Sequence, residues 1–395
     1  MAKKPSTRRT ISDPGAGTAA RESLQVQTPI ALRALLGQER AVATLNASLT
    51  SGRIHHAWIF HGPPGVGKFT GALAFAAVLL DPTAKAGKDG VFGVQQGSEV
   101  QQLLASGTHP DLHVITKELA RFSSDPSVRE GKQITIAKKV IDENLLEPAA
   151  LAPAVANHGL ASKVFIVDEA ELLDRSPTNA PTQNAILKTL EEPPAGTVII
   201  LVTSSEDRLL PTIRSRSQRV PFGPLDDAAM KEWIASRPGL FPDDVSASQR
   251  AWLTAFAVGS PGRLVEAIRS RLDRWHEALI PMLSDAAQGK FRVELGGTMA
   301  EFADGWAKAW VDANPYASKD AANKEGADRV LAMVAEHFRG VLRSRPAGAL
   351  ASPRDNALRS IDLVTGAARE LDSNVNLQLV MGNLAAQLAE PCAGA

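Results

Sequence analysis

The sequence contains a single cysteine, Cys392, close to its C-terminal end. One cysteine can form neither a disulfide within the chain nor a zinc site built from several cysteines. The sequence therefore excludes the class of small proteins that disulfides or zinc hold together. It favours a protein of the cytoplasm, which is the location we expect.

The sequence also lacks an excess of charge and long apolar runs. Its 43 Lys and Arg residues balance 43 Asp and Glu residues, with an isoelectric point near 7.1. A neutral chain argues against a protein that coats nucleic acid by itself, so we expect any contact with DNA to be shared with partners.

The sequence contains no run of eighteen apolar residues, so no membrane span is predicted, and its start lacks the apolar core of a signal peptide. Residues 1–28 are polar and without an apolar period, which predicts a disordered tail.

Alternating apolar strands and amphipathic helices occupy the first half of the chain. We predict strands over residues 57–60, 112–115, 163–167, 197–202 and 218–222. Continuous apolar runs such as 163–167 are typical of strands that are buried on both faces, and helices between strands indicate a parallel sheet. The sequence thus predicts a doubly wound α/β domain over residues 29–224. We expect the polar, glycine-rich excursion 81–108 to have little core of its own.

After residue 224 the pattern contains helices only. A small helical domain is predicted over residues 225–270 and a bundle of amphipathic helices over 271–395. Two breaks that resemble linkers, 289–297 and 343–354, interrupt the second region.

A phosphate-binding loop is predicted between the first strand and the helix that follows it. The spacing Gly-x4-Gly-Lys is complete in Gly62, Pro63, Pro64, Gly65, Val66, Gly67 and Lys68. In such a loop the backbone N–H groups and the helix dipole converge on an anion, and the lysine pairs with phosphates. The next residue is usually Ser or Thr, whose hydroxyl holds Mg²⁺, but here it is Phe69. Thr70 lies about 100° further round the helix, so its hydroxyl cannot replace the missing one. We expect ATP to bind weakly or not at all.

Two carboxylates, Asp168 and Glu169, follow the strand predicted over 163–167. In nucleotide-hydrolysing P-loop proteins the first acid helps to hold Mg²⁺ and the second polarises the attacking water. Because Phe69 removes a metal ligand, Glu169 would be a vestigial base. The alternative is that both are solvated carboxylates at a strand end. No metal site is predicted, since Pro110 prevents His109 and His113 from forming a helical pair.

Six segments resemble, in this order, the AAA+ clamp-loader subunits of bacterial DNA polymerase III. The segments are IHHA (54–57), GPPGVGK (62–68), HPDL (109–112), KVFIVDEAE (163–171), NAILKTLEEPP (184–194) and LPTIRSRS (210–217). The resemblance implies an AAA+ P-loop module over 29–224, a helical lid over 225–270 and an all-α collar for oligomerisation over 271–395. The four-cysteine zinc module that is common in this family is absent from 81–108, so no zinc is expected.

The resemblance also implies roles for residues outside the loop. Arg216 would be an arginine finger, which reaches the γ-phosphate held by a neighbouring subunit and stabilises transition-state charge there. Thr203, with Ser204 beside it, falls at the position of the first sensor. Arg263 matches the second-sensor position loosely.

The function that the resemblance implies is that of a largely non-hydrolysing subunit, which helps to load the sliding clamp on primed DNA during replication. Its partners would be delta and gamma/tau type subunits and, through the complex, the clamp and primed DNA, with no membrane involved. Two alternatives stay open. Lys68, Asp168 and Glu169 favour an active gamma/tau-type ATPase, which Phe69 opposes. The other alternative is a different AAA+ DNA-processing ATPase, such as a branch-migration helicase.

Overall fold

A five-stranded parallel sheet forms the centre of the N-terminal half. The structure, a computed structural model, describes residues 27–131, 133–174, 180–314, 317–343, 351–373 and 375–390. The predicted disordered tail lies outside these residues, apart from its last two. The strands in chain order are β1 (Ala57–His61), β2 (Lys85–Ala86), β3 (Phe92–Gly93), β4 (Leu112–Ile115), β5 (Lys163–Val167), β6 (Thr197–Thr203) and β7 (Gln218–Pro221). The sheet has the order β4-β5-β6-β1-β7, and β2 and β3 pair separately as an antiparallel hairpin.

Helices cover both faces of this sheet. The α-helices of this half are α1 (Glu39–Ser51), α2 (Lys68–Leu80), α3 (Glu99–Ala105), α4 (Pro126–Arg129), α5 (Lys138–Ile141), α6 (Glu147–Ala150), α7 (Pro181–Glu191) and α8 (Pro211–Ser215). Short 3-10 segments lie at Leu32–Ala34, Lys117–Phe122, Ala170–Leu172 and Glu206–Arg208, and a π-helical turn, Asp142–Leu146, joins α5 to α6.

Side chains of each strand alternate between two hydrophobic cores. Trp58 and Phe60 of β1 point into the core formed with α1 and α2, whereas Ile59 points into the core formed with α5, α7 and α8. Successive residues of a strand point to opposite faces, so a run that is apolar throughout is buried on both. The prediction of a doubly wound α/β fold is confirmed.

The strand register brings the carboxyl ends of the central strands together. His61 of β1 lies opposite Thr203 of β6, and Val167 of β5 lies opposite Leu201 of β6. The phosphate loop follows β1 and the carboxylates follow β5, so both emerge at the same edge. Ligands of open α/β sheets bind at this edge.

The C-terminal half is helical, as predicted. Its helices are α9 (Asp227–Ala235), α10 (Ala247–Ala257), α11 (Pro261–Arg269), α12 (Leu272–Ala287), α13 (Glu294–Ala313), α14 (Lys319–Arg343), α15 (Ala351–Asp372) and α16 (Leu377–Ala389). One continuous hydrophobic core extends from Leu225 to Ala389. The division at residue 270 into lid and collar stays a prediction. Among the described residues, no helix is both long and apolar enough to cross a lipid bilayer.

The predicted linker 289–297 is wrong in its second part, because α13 already begins at Glu294. Leu295 is fully buried, and a Cβ atom added to Gly296 would lie 2.7 Å from Cα of Gly382 in α16. The glycine therefore permits two helices to approach closely and does not mark a flexible segment. Of the second predicted break, residues 344–350 lie outside the described residues, and α15 begins at Ala351.

The excursion 81–108 forms no core of its own, as predicted, but it contributes Val100 and Leu104 of α3 to the core of the α/β domain. The fully buried carboxylate of Asp81 organises this segment. It accepts hydrogen bonds from the Thr83 N–H (2.8 Å), the Thr83 hydroxyl (2.6 Å), the Ser98 hydroxyl (2.6 Å) and the Gln101 amide (2.9 Å). Burial by itself would raise the pKa of Asp81, but these hydrogen bonds outweigh it and lower the pKa.

We expect Asp81→Asn to lower the free energy of unfolding by about 1–3 kcal/mol at pH 7, because an amide nitrogen cannot accept the bonds that one carboxylate oxygen now accepts. A folded-state pKa below the ordinary value gives stability that is present above that value and lost as pH falls through the folded pKa. The difference between the two proteins should therefore shrink towards pH 3, as measured by urea unfolding. Asp89→Asn, at a half-exposed position in the same segment, is the control and should change stability by less than about 0.5 kcal/mol. Equal losses in both variants would contradict the role of Asp81.

Candidate functional site

The loop between β1 and α2 has a backbone that only glycines adopt readily. Gly62, Gly65 and Gly67 have φ angles of 143°, 75° and 100°. At Gly62 an added Cβ atom would lie 2.0 Å from the carbonyl oxygen of Phe222, so no side chain fits there. Because α2 begins at Lys68, its N-terminus faces the loop. This arrangement presents backbone N–H groups at a helix N-terminus, where an anion can be bound.

The ammonium group of Lys68 is buried and is fully used within the protein. It donates hydrogen bonds to the carbonyl oxygens of Gly62 (2.8 Å) and Pro63 (2.6 Å) and to the hydroxyl of Ser204 (3.0 Å). An ammonium group has three protons, so each of them has an acceptor. Burial lowers the pKa of Lys68, while the charges of Glu171 and Asp168 act in the opposite direction. A phosphate at this loop would have to replace some of these protein acceptors.

Carboxylates crowd the edge of the sheet beside this lysine. Burial is the main cause that raises the pKa of Asp168 to about 6, and the charges of Glu169 and Glu171 add to it. One carboxylate oxygen of Glu171 accepts the Ser204 N–H (3.1 Å). Sequence analysis missed Glu171, although its position three residues after Asp168 on the same turn is the signal that could have found it.

The carboxylate of Glu169 is engaged by a lysine from the neighbouring strand end. Lys117, just after β4, lies 2.8 Å from it, and Glu169 itself has left-handed backbone angles of φ 48° and ψ 46°. Burial acts to lower the pKa of Lys117, but Glu169 outweighs it and raises the pKa. Sequence analysis missed Lys117. Its position after β4, next to β5 in the sheet, shows only once the strand order is known.

Position 69 offers a phenyl ring in place of a hydroxyl. The ring of Phe69 packs against the core formed with α1 and α2. Across the described residues, no group of three or more His, Cys, Asp or Glu side chains could hold a metal ion. Because the side chain of Phe69 has no oxygen, the residues present do not supply the hydroxyl ligand that usually holds Mg²⁺ in a P-loop. They do leave space for a nucleotide, because the loop opens into a cleft of about 1240 Å³.

Helix α11 sits directly on the phosphate loop. The Gly262 N–H donates to the carbonyl oxygen of Gly65 (2.8 Å), and the Ser260 hydroxyl donates to that of Pro64 (2.9 Å). A Cβ atom on Gly262 would lie 2.6 Å from Cα of Gly65, so the two backbones meet without side chains between them. The loop and the helical half are thus joined through main-chain contacts.

The predicted sensor residues lie in different surroundings. Arg263 places its guanidinium 4.2 Å from the ring centroid of Phe256, and it is not among the residues that line the cleft. Thr203 is buried and its hydroxyl accepts the Ser205 N–H (3.1 Å), whereas its neighbour Ser204 contacts Lys68. The structure therefore brings Ser204 and Gly262 to the loop. The backbone of Arg263 also lies there, since a Cβ atom on Gly65 would be 2.9 Å from its nitrogen, but its guanidinium is directed to Phe256. The sensor roles stay predictions.

Arg216 lies outside the cleft of its own chain. It follows the last residue of α8, and its side chain is 39% exposed. One guanidinium nitrogen lies 2.9 Å from the Glu191 carboxylate, and another donates to the carbonyl oxygen of Thr212 (3.1 Å). This position leaves the guanidinium accessible to another molecule.

Comparison with known proteins shows which subunits of DNA polymerase III this chain resembles. The profile of a family described as "DNA polymerase III, delta subunit" matches residues 37–226. The delta' subunit of DNA polymerase III from Escherichia coli is 32% identical over 58% of this chain and 59% of its own length. The delta' subunit from Bacillus subtilis is 27% identical over 89% of this chain and 96% of its own length. The chain is similar to the delta-prime clamp-loader subunits of DNA polymerase III.

Other subunits of DNA polymerase III are also similar to this chain. The gamma/tau subunit of DNA polymerase III from Mycobacterium tuberculosis is 31% identical over 55% of this chain, which spans only 33% of that relative. A solved structure described as a gamma subunit-related protein of DNA polymerase III from Thermotoga maritima is 16% identical, with a TM-score of 0.40 over 87% of this chain and 98% of that one. The predicted resemblance to delta-prime clamp-loader subunits is confirmed.

Replacing Phe69 by Ser should increase the affinity for ATP in the presence of Mg²⁺ by about tenfold, because one metal ligand is restored. Without Mg²⁺ the affinity should not change. Isothermal titration of the purified variants with ATP, with and without Mg²⁺, measures both values.

Phe69→Ala is the matched control, since it removes the same ring and adds no hydroxyl. An equal gain with Ala would show that the bulk of the ring, and not the missing oxygen, limits binding. No gain with Ser would contradict the explanation for position 69.

Proposed function

We propose that this chain is a delta-prime-type clamp-loader subunit of DNA polymerase III, which helps to load the sliding clamp on primed DNA. Its own phosphate loop turns over little or no ATP. The observation that carries this proposal is Phe69, a partly buried phenyl group that packs against the core at the position from which a hydroxyl would hold Mg²⁺. Phosphoryl transfer depends on that metal to neutralise developing charge, so its loss removes a main source of catalysis.

Two further contacts support a loop that does not hydrolyse ATP. The protons of Lys68 are taken by protein acceptors, and the carboxylate of Glu169 is paired with Lys117. A carboxylate that is held by a lysine would have to leave it before it could orient an attacking water. A phosphate at the loop would have to displace the acceptors of Lys68, so ATP binds weakly or not at all. Zinc has no role in this proposal, since the buried Asp81 organises the segment in which related subunits carry their zinc module.

Arg216 is the residue through which the chain contributes to catalysis elsewhere. A guanidinium is permanently charged and planar, which suits it to the charge of a transferring phosphoryl group on a neighbouring subunit. Its exposure, and its position outside the cleft of its own chain, support a role in trans. The partners would be delta and gamma/tau type subunits in the cytoplasm, held together by the helices of residues 271–395. The clamp and primed DNA would be met through the complex.

A second candidate function is that of a working gamma/tau-type ATPase. The similarity to the gamma/tau subunit and the presence of Lys68, Asp168 and Glu169 favour it. Phe69 and the pairing of Glu169 with Lys117 argue against it. The two candidates differ in whether the purified chain hydrolyses ATP by itself.

In a complex reconstituted with its partner subunits, Arg216→Ala should lower ATP turnover by about threefold or more, because one neighbouring site loses its transition-state cation. Assembly should be unaffected, since the side chain is exposed. Steady-state phosphate release in the presence of clamp and primed DNA measures turnover, and gel filtration measures assembly.

Arg219→Ala is the control, because Arg219 is an exposed arginine of the following strand, paired with Glu206. It should leave turnover unchanged. If the Arg216→Ala complex assembled and hydrolysed ATP at the normal rate, the proposed role in trans would be refuted.

A further inference from the structure

We infer that Glu191 is a positioning residue for Arg216 and holds its guanidinium ready for the phosphate of a neighbouring subunit. The inference rests on the proposed function, because it concerns the same donated arginine. Nothing in the sequence motif shows this pairing. It follows from the contact between the ends of α7 and α8.

The backbone on both sides of the pair is firmly anchored. Arg216 follows α8, where its N–H donates to the carbonyl oxygen of the fully buried Ile213 (3.1 Å). Glu191 is the last residue of α7 and follows the buried Leu190, whose carbonyl oxygen lies 2.8 Å from Nε2 of His56. The conformational freedom of the pair therefore lies mainly in the side chains of Arg216 and Glu191, which contact each other at the surface.

The guanidinium is held at two points and still has donors to spare. Its contacts with the Glu191 carboxylate (2.9 Å) and with the carbonyl oxygen of Thr212 (3.1 Å) use two of its nitrogens. A guanidinium has five N–H donors, so others can still reach a phosphate. The two contacts therefore orient the guanidinium and leave N–H donors available for a phosphate.

The ion pair between Glu191 and Arg216 contributes little to the free energy of folding, so its main effect is to orient the guanidinium. The two side chains are 39% and 49% exposed. Exposed ion pairs of this kind contribute little to folding because water screens them and both side chains lose freedom. A long arginine that is already restricted loses less entropy when it binds its target, so the ordering that Glu191 imposes favours catalysis.

Matched variants in the reconstituted complex test this role. Glu191→Ala should lower kcat for ATP about twofold, less than Arg216→Ala does, and should leave KM unchanged. Glu191→Gln should retain most of the activity, since its amide oxygen can still accept a bond from Arg216. Glu192→Ala is the control, because Glu192 is the next residue, is exposed and makes no ion pair within the described part of the chain.

The double variant Glu191→Ala/Arg216→Ala should be no slower than Arg216→Ala alone, because Glu191 acts only through the arginine. An additive loss would overturn the inference, and so would faster turnover in Glu191→Ala, which would show that the carboxylate restrains the arginine. If Arg216→Ala has no effect, the proposed function fails. If Arg216→Ala slows turnover and Glu191→Ala does not, only the inference about Glu191 fails.

Discussion

The hydrogen bonds of the buried Lys68 ammonium group are the interaction on which the shape of the phosphate loop depends. It binds two carbonyl oxygens of its own loop and the hydroxyl of Ser204 at the end of β6. A buried cation is costly unless its protons find acceptors, so these bonds hold the loop in one shape without a ligand. A phosphate that bound at the loop would have to compete with these acceptors.

The same loop also contacts the helical half of the chain. Its outer side meets α11 at the contact between Gly65 and Gly262. At the far end of α11, Ser270 accepts a hydrogen bond from the indole N–H of Trp306 in α13 (3.1 Å), and Arg329 of α14 lies 3.8 Å from the ring centroid of Trp306. Helix α11 thus connects the phosphate loop to the C-terminal helices. The phosphate loop is thus also a centre of packing between the two halves of the chain.

Local pattern was enough to predict the five strands of the parallel sheet and the loop, but not the hairpin of β2 and β3. The run of residues 163–167 is apolar throughout because β5 is buried on both faces, and the glycine spacing of the loop follows from backbone angles that other residues avoid. Contacts between distant segments could not be predicted in this way. The pairing of Lys117 with Glu169 depends on which strands are neighbours. The contact of Gly262 with the loop depends on how α11 docks, and a motif that pointed to the adjacent Arg263 could not reveal it. Likewise, the sequence around Gly296 indicates a linker, and only the contact with Gly382 of α16 shows that this glycine permits helix packing.

The most direct test of a structural phosphate loop is the steady-state rate of ATP hydrolysis by the purified chain alone, with Mg²⁺ and saturating ATP. Lys68→Ala serves as the reference for contaminating activity. We expect the two proteins to release phosphate at the same background rate. Turnover by the unaltered chain that exceeds the reference and is abolished in Lys68→Ala would contradict the view that this loop no longer hydrolyses ATP.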